Sequence, residues 1–127
     1  MTKLKQIWKC NVCGNIIEIL HEGADSLVCC NQPMVLQEEK TEEEGNEKHK
    51  PIIDTINEKK ERIKIKIGEI PHPMEDKHFI EWIEANTEDR VLRKFLKPGE
   101  KPEKEFTVRG LKFTARAYCN VHGLWKS

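Results

Sequence analysis

The chain reads as a mainly β protein in two parts: a small cysteine-stapled domain over residues 1–37 and an antiparallel β-sandwich of immunoglobulin type over residues 47–127. Three observations predict this. Four of the five cysteines fall within the first 30 residues, the run EEKTEEEGN at 38–46 carries no apolar side chain, and the segment beyond it alternates apolar and polar residues with the period of a strand.

The N-terminal part runs through WKCNVCG, IIEIL, the turn-like HEGADS, LVCC and NQPMVL, a pattern of very short strands joined by knuckles and turns. Below about 40 residues a hydrophobic core rarely holds a fold without metal or disulfides, so the cysteines are expected to supply what the core cannot. The acidic run 38–46, with five glutamates, reads as a solvated spacer. Beyond it, ERIKIKIGEI sets Ile63, Ile65 and Ile67 on one face of a strand and Arg62, Lys64 and Lys66 on the other. PIIDTI, HFIEWIEAN, VLRKFL, EFTVRG and KFTARAYC are further strand candidates, rich in β-branched and aromatic residues and separated by turn signals such as KPGEKP. Six or seven strands at this spacing predict the sandwich, with a helical turn around TEDRVL as the one foreseen exception. No internal repeat is visible.

Lys and Arg together number 22, as do Asp and Glu, so the totals carry neither a nucleic-acid footprint nor a membrane-surface bias. MTKLKQIWKC lacks the apolar stretch of a signal peptide, and no apolar run approaches the roughly 20 residues of a spanning helix. A cytoplasmic protein is expected, binding neither nucleic acid nor membrane. In a reducing compartment, cysteines point to metal ligation or catalysis rather than to disulfides.

Cys10 and Cys13 form a C-x2-C knuckle, separated by fifteen residues from the adjacent pair Cys29 and Cys30. Four thiolates can close a tetrahedral site for zinc or for a single iron. A second C-x2-C would be the usual partner. Neighbouring cysteines must instead splay to reach one ion, which predicts a distorted tetrahedron.

Of the five histidines, His21 lies in a turn-like stretch and reads as an ordinary surface residue. The other four, His49, His72, His78 and His122, fall in the C-terminal part with the lone Cys119. Pro71 and Pro73 bracket His72 and restrict its backbone, and Cys119 and His122 stand three apart before Gly123. Together they form a candidate His4Cys site. Five protein donors exceed the four of a structural zinc and suit iron, leaving one position for a small reacting ligand.

These motifs, in order, resemble those of the desulfoferrodoxin, or two-iron, superoxide reductases. The likeness rests on CxxCG at 10–14, VCCNQ at 28–32, EKH at 47–49, HPMEDKH at 72–78, FLKPG at 95–99 and YCNVHG at 118–123, with no departure at a ligand position. The resemblance implies a desulforedoxin-like domain whose Cys10, Cys13, Cys29 and Cys30 hold a distorted Fe(Cys)4 centre. It implies a second iron with His49, His72, His78 and His122 equatorial and Cys119 axial. Two irons per chain, a homodimer, a rubredoxin-like electron donor and the reduction of superoxide to hydrogen peroxide follow as expectations. Lys48 is then the candidate to steer the anion and stabilise negative charge, and Glu47 to cap the vacant position after turnover. Lys50, Lys77 and Lys126 are secondary candidates for the field, while Trp8, Trp82 and Trp125 read as packing residues. Read without the resemblance, the same residues also suit a zinc-holding interaction module or a simple electron carrier.

Overall fold

The computed structural model describes residues 1–42, 45–56 and 61–127. The chain divides into two compact units, Met1–Glu38 and Glu39–Ser127. The first has almost no regular structure to lean on. Strands β1 (Ile7–Lys9), β2 (Ile16–Glu18) and β5 (Val35–Leu36) form an antiparallel sheet in the order β2-β1-β5, beside a hairpin of β3 (Val28–Cys29) and β4 (Gln32–Pro33). Its buried apolar side chains are Ile7, Ile19, Met34 and Cys10, too few to stabilise a fold of this length by themselves.

The second unit opens with a helical turn, α1 (Asn46–His49), followed by β6 (Pro51–Thr55), β7 (Arg62–Ile67), β8 (Ile80–Asn86), β9 (Val91–Phe95), β10 (Glu103–Thr107), β11 (Thr114–Cys119) and β12 (Gly123–Lys126). They pair antiparallel into a three-stranded sheet, β10-β7-β6, and a four-stranded sheet, β12-β11-β8-β9. The expected β-sandwich is thus observed. Ile63, Ile65 and Ile67 face inward as their alternation predicts and meet Ile80, Ile83, Ala85, Phe106, Ala115 and Ala117 in one core. On the opposite face of β7, Arg62, Lys64 and Lys66 pair across the sheet with Glu105, Glu103 and Asp54. These half-exposed pairs contribute little stability each.

Four features differ from the sequence reading. The stretch around TEDRVL turns at Glu88 and Asp89 and then enters β9, without a helix, because Val91 and Leu92 pair with Asn86 and Ala85 across the hairpin. EKH, to which the sequence reading assigns no element, forms the last three residues of α1. GLWK at 123–126 is an additional strand paired to β11. Finally, the acidic run is more than a spacer: Glu39 pairs with Arg116 at 3.4 Å, Lys40 bridges to Trp125 on β12, and Glu42 pairs with Lys50, while residues 43–44 of that run lie outside the described residues.

The four-stranded sheet also buries polar groups on the face away from the core. Glu84, fully buried, accepts hydrogen bonds from Trp82 Nε1 (2.7 Å), Asn86 Nδ2 (2.8 Å), Arg93 Nη2 (3.0 Å) and Arg116 Nη2 (2.8 Å). Burial alone would raise its pKa, but the Arg116 and Arg93 guanidiniums outweigh it and hold the carboxyl below its ordinary value. Among the described residues no helix is long and apolar enough to cross a membrane.

Candidate metal centres

In the first unit the knuckle begins where β1 ends. The carbonyl of Cys10 accepts the Gly14 N–H at 2.9 Å, its own N–H goes to Asn15 at 2.9 Å, and the Cys13 N–H points at its sulfur at 3.5 Å. Those amides stabilise a thiolate: the N–H groups of Cys13 and then Val12 bring the Cys10 pKa down to about 6. On the other side of the site, β3 and β4 are joined by a two-residue loop, Cys30-Asn31, with φ of 54° and 59°. Positive φ at both central positions is the geometry of a type I′ hairpin turn. Successive side chains on an extended strand point to opposite faces, and the left-handed backbone at Cys30 breaks that alternation. That is how adjacent cysteines come to face one point.

The four sulfurs all lie within 4.8 Å of one another, with Cys13–Cys29 at 3.6 Å and Cys29–Cys30 at 3.9 Å. A tetrahedron with metal–sulfur bonds of about 2.3 Å has edges of about 3.8 Å, so the spacing fits a single ion. All five cysteines are free thiols. Sharing of a hydrogen with Cys13, then with Cys10, drives the Cys29 pKa up to about 12, and the Cys13 contact likewise raises Cys30. Sulfurs this crowded cannot all ionise without a cation among them.

The second site collects five donors from four places in the chain. His49 ends α1, His72 and His78 come from the connection between β7 and β8, Cys119 ends β11 and His122 precedes β12. Their ligand atoms lie within 4.8 Å of one another. A bulge between Tyr118 and Cys119, where the pairing with β8 shifts from Trp82 to Ile80, sets the buried Cys119 sulfur at the end of the core. The His122 N–H points at that sulfur at 3.4 Å. Burial pushes the thiol pKa up, although the amides of His122 and Val121 oppose it.

Ring nitrogens are assigned by their partners. His49 Nδ1 donates to the Gly45 carbonyl at 2.8 Å and His72 Nδ1 to the Pro73 carbonyl at 2.7 Å, which leaves both Nε2 lone pairs free to bind. His122, tied three residues from Cys119, instead offers Nδ1, 3.0 Å from His49 Nε2 and 3.8 Å from the Cys119 sulfur. Two nitrogens at right angles on an ion with bonds of about 2.1 Å would stand about 3.0 Å apart. Among the described residues, the buried Nε2 atoms of His72 and His78 have no hydrogen-bond partner. A buried acceptor left unpaired costs free energy, and an ion at this point satisfies both. Burial lowers the pKa of His49, His122 and, to about 4, His72, so the imidazoles are held in the neutral form a metal requires. His49, His72 and Cys119 are buried, His78 is half-buried and His122 is exposed, which opens one side to small solutes.

Glu47 and Lys48 both lie exposed on α1, and neither adds an atom to the cluster of donors. Their backbone is held from below. The Glu47 carbonyl accepts the Ile70 N–H at 3.0 Å and the Lys50 carbonyl accepts the Gly68 N–H at 3.0 Å. Gly68 has φ of 83°, and a Cβ there would sit 2.7 Å from Lys48 Cα and against the Ile70 carbonyl. Only glycine permits this approach. Of the secondary lysines, Lys50 is engaged by Glu42.

Two residues at this site escaped the sequence reading. Trp125 is indeed a packing residue, but it packs on a donor: its ring stacks on His49 with centroids 4.9 Å apart, and its Nε1 donates to the His122 carbonyl at 3.2 Å. Lys40, from the acidic run, donates to that same carbonyl at 2.9 Å. Its only sequence signal was a cation among glutamates.

The Desulfoferrodoxin N-terminal domain family matches residues 2–37 and the Desulfoferrodoxin family matches residues 41–127. A desulfoferrodoxin homologue of Archaeoglobus fulgidus is 53% identical, covering 100% of this chain and 99% of its own. The crystal structure of the superoxide reductase from Treponema pallidum shares the fold, with a TM-score of 0.75 at 22% identity over 96% of this chain and 95% of that one. A superoxide reductase from Nanoarchaeum equitans aligns over 71% of this chain and 96% of its own, with a TM-score of 0.55 and 34% identity. With both family patterns matched in order across two units that each gather a metal-ligand set, the chain belongs to the desulfoferrodoxin family.

Proposed function

We propose that the chain is a superoxide reductase, delivering one electron to superoxide, which takes up two protons and leaves as hydrogen peroxide. The observation that carries this reading is the convergence of four imidazole nitrogens and one thiol sulfur within 4.8 Å, two of the nitrogens buried with no other partner. Five donors suit iron better than a structural zinc and leave one of six positions for a small ligand. His49, His72, His78, His122 and Cys119 would hold a ferrous ion, which would supply the electron and be re-reduced by an external donor.

The chain's own residues shape the rest. Lys48 sets an ammonium one residue before His49, where it focuses the field for a small anion and stabilises negative charge as it develops. Glu47, exposed on the same turn, is the carboxylate we assign to cap the open side of the site between turnovers. The Cys119 thiolate contributes electron density that favours release of product with its O–O bond intact. Cys10, Cys13, Cys29 and Cys30 would hold a second iron, and a rubredoxin-like donor would supply electrons to the chain in a cytoplasmic homodimer.

Metal analysis combined with rapid mixing of the reduced protein against superoxide tests this. Two irons per chain and hydrogen peroxide formed without dioxygen are expected; a colourless, zinc-only protein inert to superoxide would favour a zinc-holding interaction module instead. Lys48→Ile is expected to slow the bimolecular step about tenfold or more and to flatten its dependence on ionic strength. An unaltered salt profile would remove Lys48 from the steering role.

A further inference from the structure

We propose that Lys40 is a positioning residue of the His4Cys centre, an ammonium that locks two of its histidines in place and biases the centre toward its reduced state. The segment that carries it is not loose. Lys40 N–H donates to Leu124 at 3.0 Å and its carbonyl accepts the Lys126 N–H at 2.9 Å, a parallel bridge beside β12. Backbone bonds on both sides of the residue fix where its side chain starts.

From there the ammonium makes two contacts that both end on the donor set. Nζ donates to the His122 carbonyl at 2.9 Å, and it stands 5.7 Å over the centroid of Trp125. Trp125 in turn donates to the same carbonyl and stacks on the His49 ring with an interplanar angle of 19°. One half-buried cation therefore braces His122 directly and His49 through an indole. A charge-assisted hydrogen bond is stronger than a neutral one, and the cation–π contact adds to it.

The electrostatic consequence has a definite sign. A fixed positive charge favours whichever state of a nearby centre is less positive. With Nζ 2.9 Å from the His122 carbonyl, that charge stands beside the donor set. By the same sign it favours the ferrous over the ferric form, so removing it should make the centre harder to reduce.

This rests on the iron reading above, and the test separates the two. In the iron-loaded full chain, Lys40→Met keeps the apolar stem and deletes the charge, while Lys40→Arg keeps both charge and donor. The reduction equilibrium of the His4Cys centre, followed by its thiolate-to-iron band, is expected to shift toward the oxidised form in Lys40→Met by up to about tenfold, or ~59 mV for one electron. Lys40→Arg should restore most of it. An unchanged potential in Lys40→Met, with iron content and the superoxide reaction intact, overturns the role of Lys40 and leaves the proposed function standing. If the wild-type protein binds no iron, the function falls, and cobalt(II) loading still decides the positioning: a displaced cobalt–thiolate band in Lys40→Met, restored in Lys40→Arg, supports it, and identical spectra overturn it.

Discussion

The two units solve the same problem, gathering ligands around one point, by opposite routes. In Met1–Glu38 the ligands come from two tight local turns, and the strands around them are two or three residues long. In Glu39–Ser127 a filled sandwich core exists without any ion, and the donors are carried to one end of it by strands and connections far apart in sequence. The first arrangement makes the metal part of the fold. The second makes the fold a mould for the metal.

Metal removal should break the symmetry between them most visibly. Chelation is expected to unfold the first unit while the sandwich keeps its structure, because a bound structural ion contributes on the order of 10 kcal/mol to a small domain that lacks a core. Amide hydrogen exchange on the metal-free chain measures this directly. Protection retained in β1 and β2 after the metal is gone would show that the unit folds without it.

The next largest effect lies in the sandwich, away from the metal. Glu84→Gln removes the buried counter-charge of the Arg116 guanidinium and leaves it the exposed Glu39 carboxylate, and a loss of about 3–5 kcal/mol is expected from breaking a buried pair. Chemical denaturation of the variant checks it. A loss under about 1 kcal/mol would mean that the guanidiniums find other partners.

A pH titration of the metal-free protein sharpens the comparison further. Burial holds the folded-state pKa of His72 near 4 against an ordinary 6.5, so between these values the unfolded chain binds the extra proton and the folded one does not. Stability of the sandwich should therefore be full above about pH 6.5 and fall steadily as the pH drops toward 4. Below that the His72 contribution is gone. Bound metal, which occupies the same nitrogen, should suppress the slope until acid displaces it. A flat profile in the metal-free protein would contradict the burial of a neutral ring.

The smallest expected change is the most local. Gly68→Ala adds a Cβ against the Lys48 backbone at positive φ, a strain of about 1–3 kcal/mol. It should displace α1 enough to weaken metal retention and the proposed superoxide reaction together, without disturbing the first unit. Kinetics indistinguishable from wild type would show that α1 can yield freely.

Much of this was legible in the chain. The strict alternation in RIKIKI marked β7 and its inward face, and the cysteine spacing and histidine placement marked both donor sets. What escaped detection did so for identifiable reasons. A four-residue helix is too short to display a period, and GLWK, with glycine at its head, carries too little strand character to stand out beside YCNVH. Alternation cannot tell a solvated face from a covered one, so nothing in the sequence marks Glu84 and Arg116 as buried. Lys40 sat in a run whose composition suggests solvent, and only its backbone bridge to β12 removes it from that description.

Residue order settled which atoms could bind metal and in what number, because ligand chemistry belongs to side-chain type. It also set the split between a turn-built unit and a core-built one, because apolar content and strand period are local properties. Where those atoms meet was decided in three dimensions. Imidazoles at 49, 72, 78 and 122 share one point because β11 pairs with both β8 and β12, a glycine admits the backbone of α1 beneath them, and two carbonyls turn the rings of His49 and His72 to present the right nitrogens. Pairing and close approach depend on long-range packing, which no local window of the chain contains.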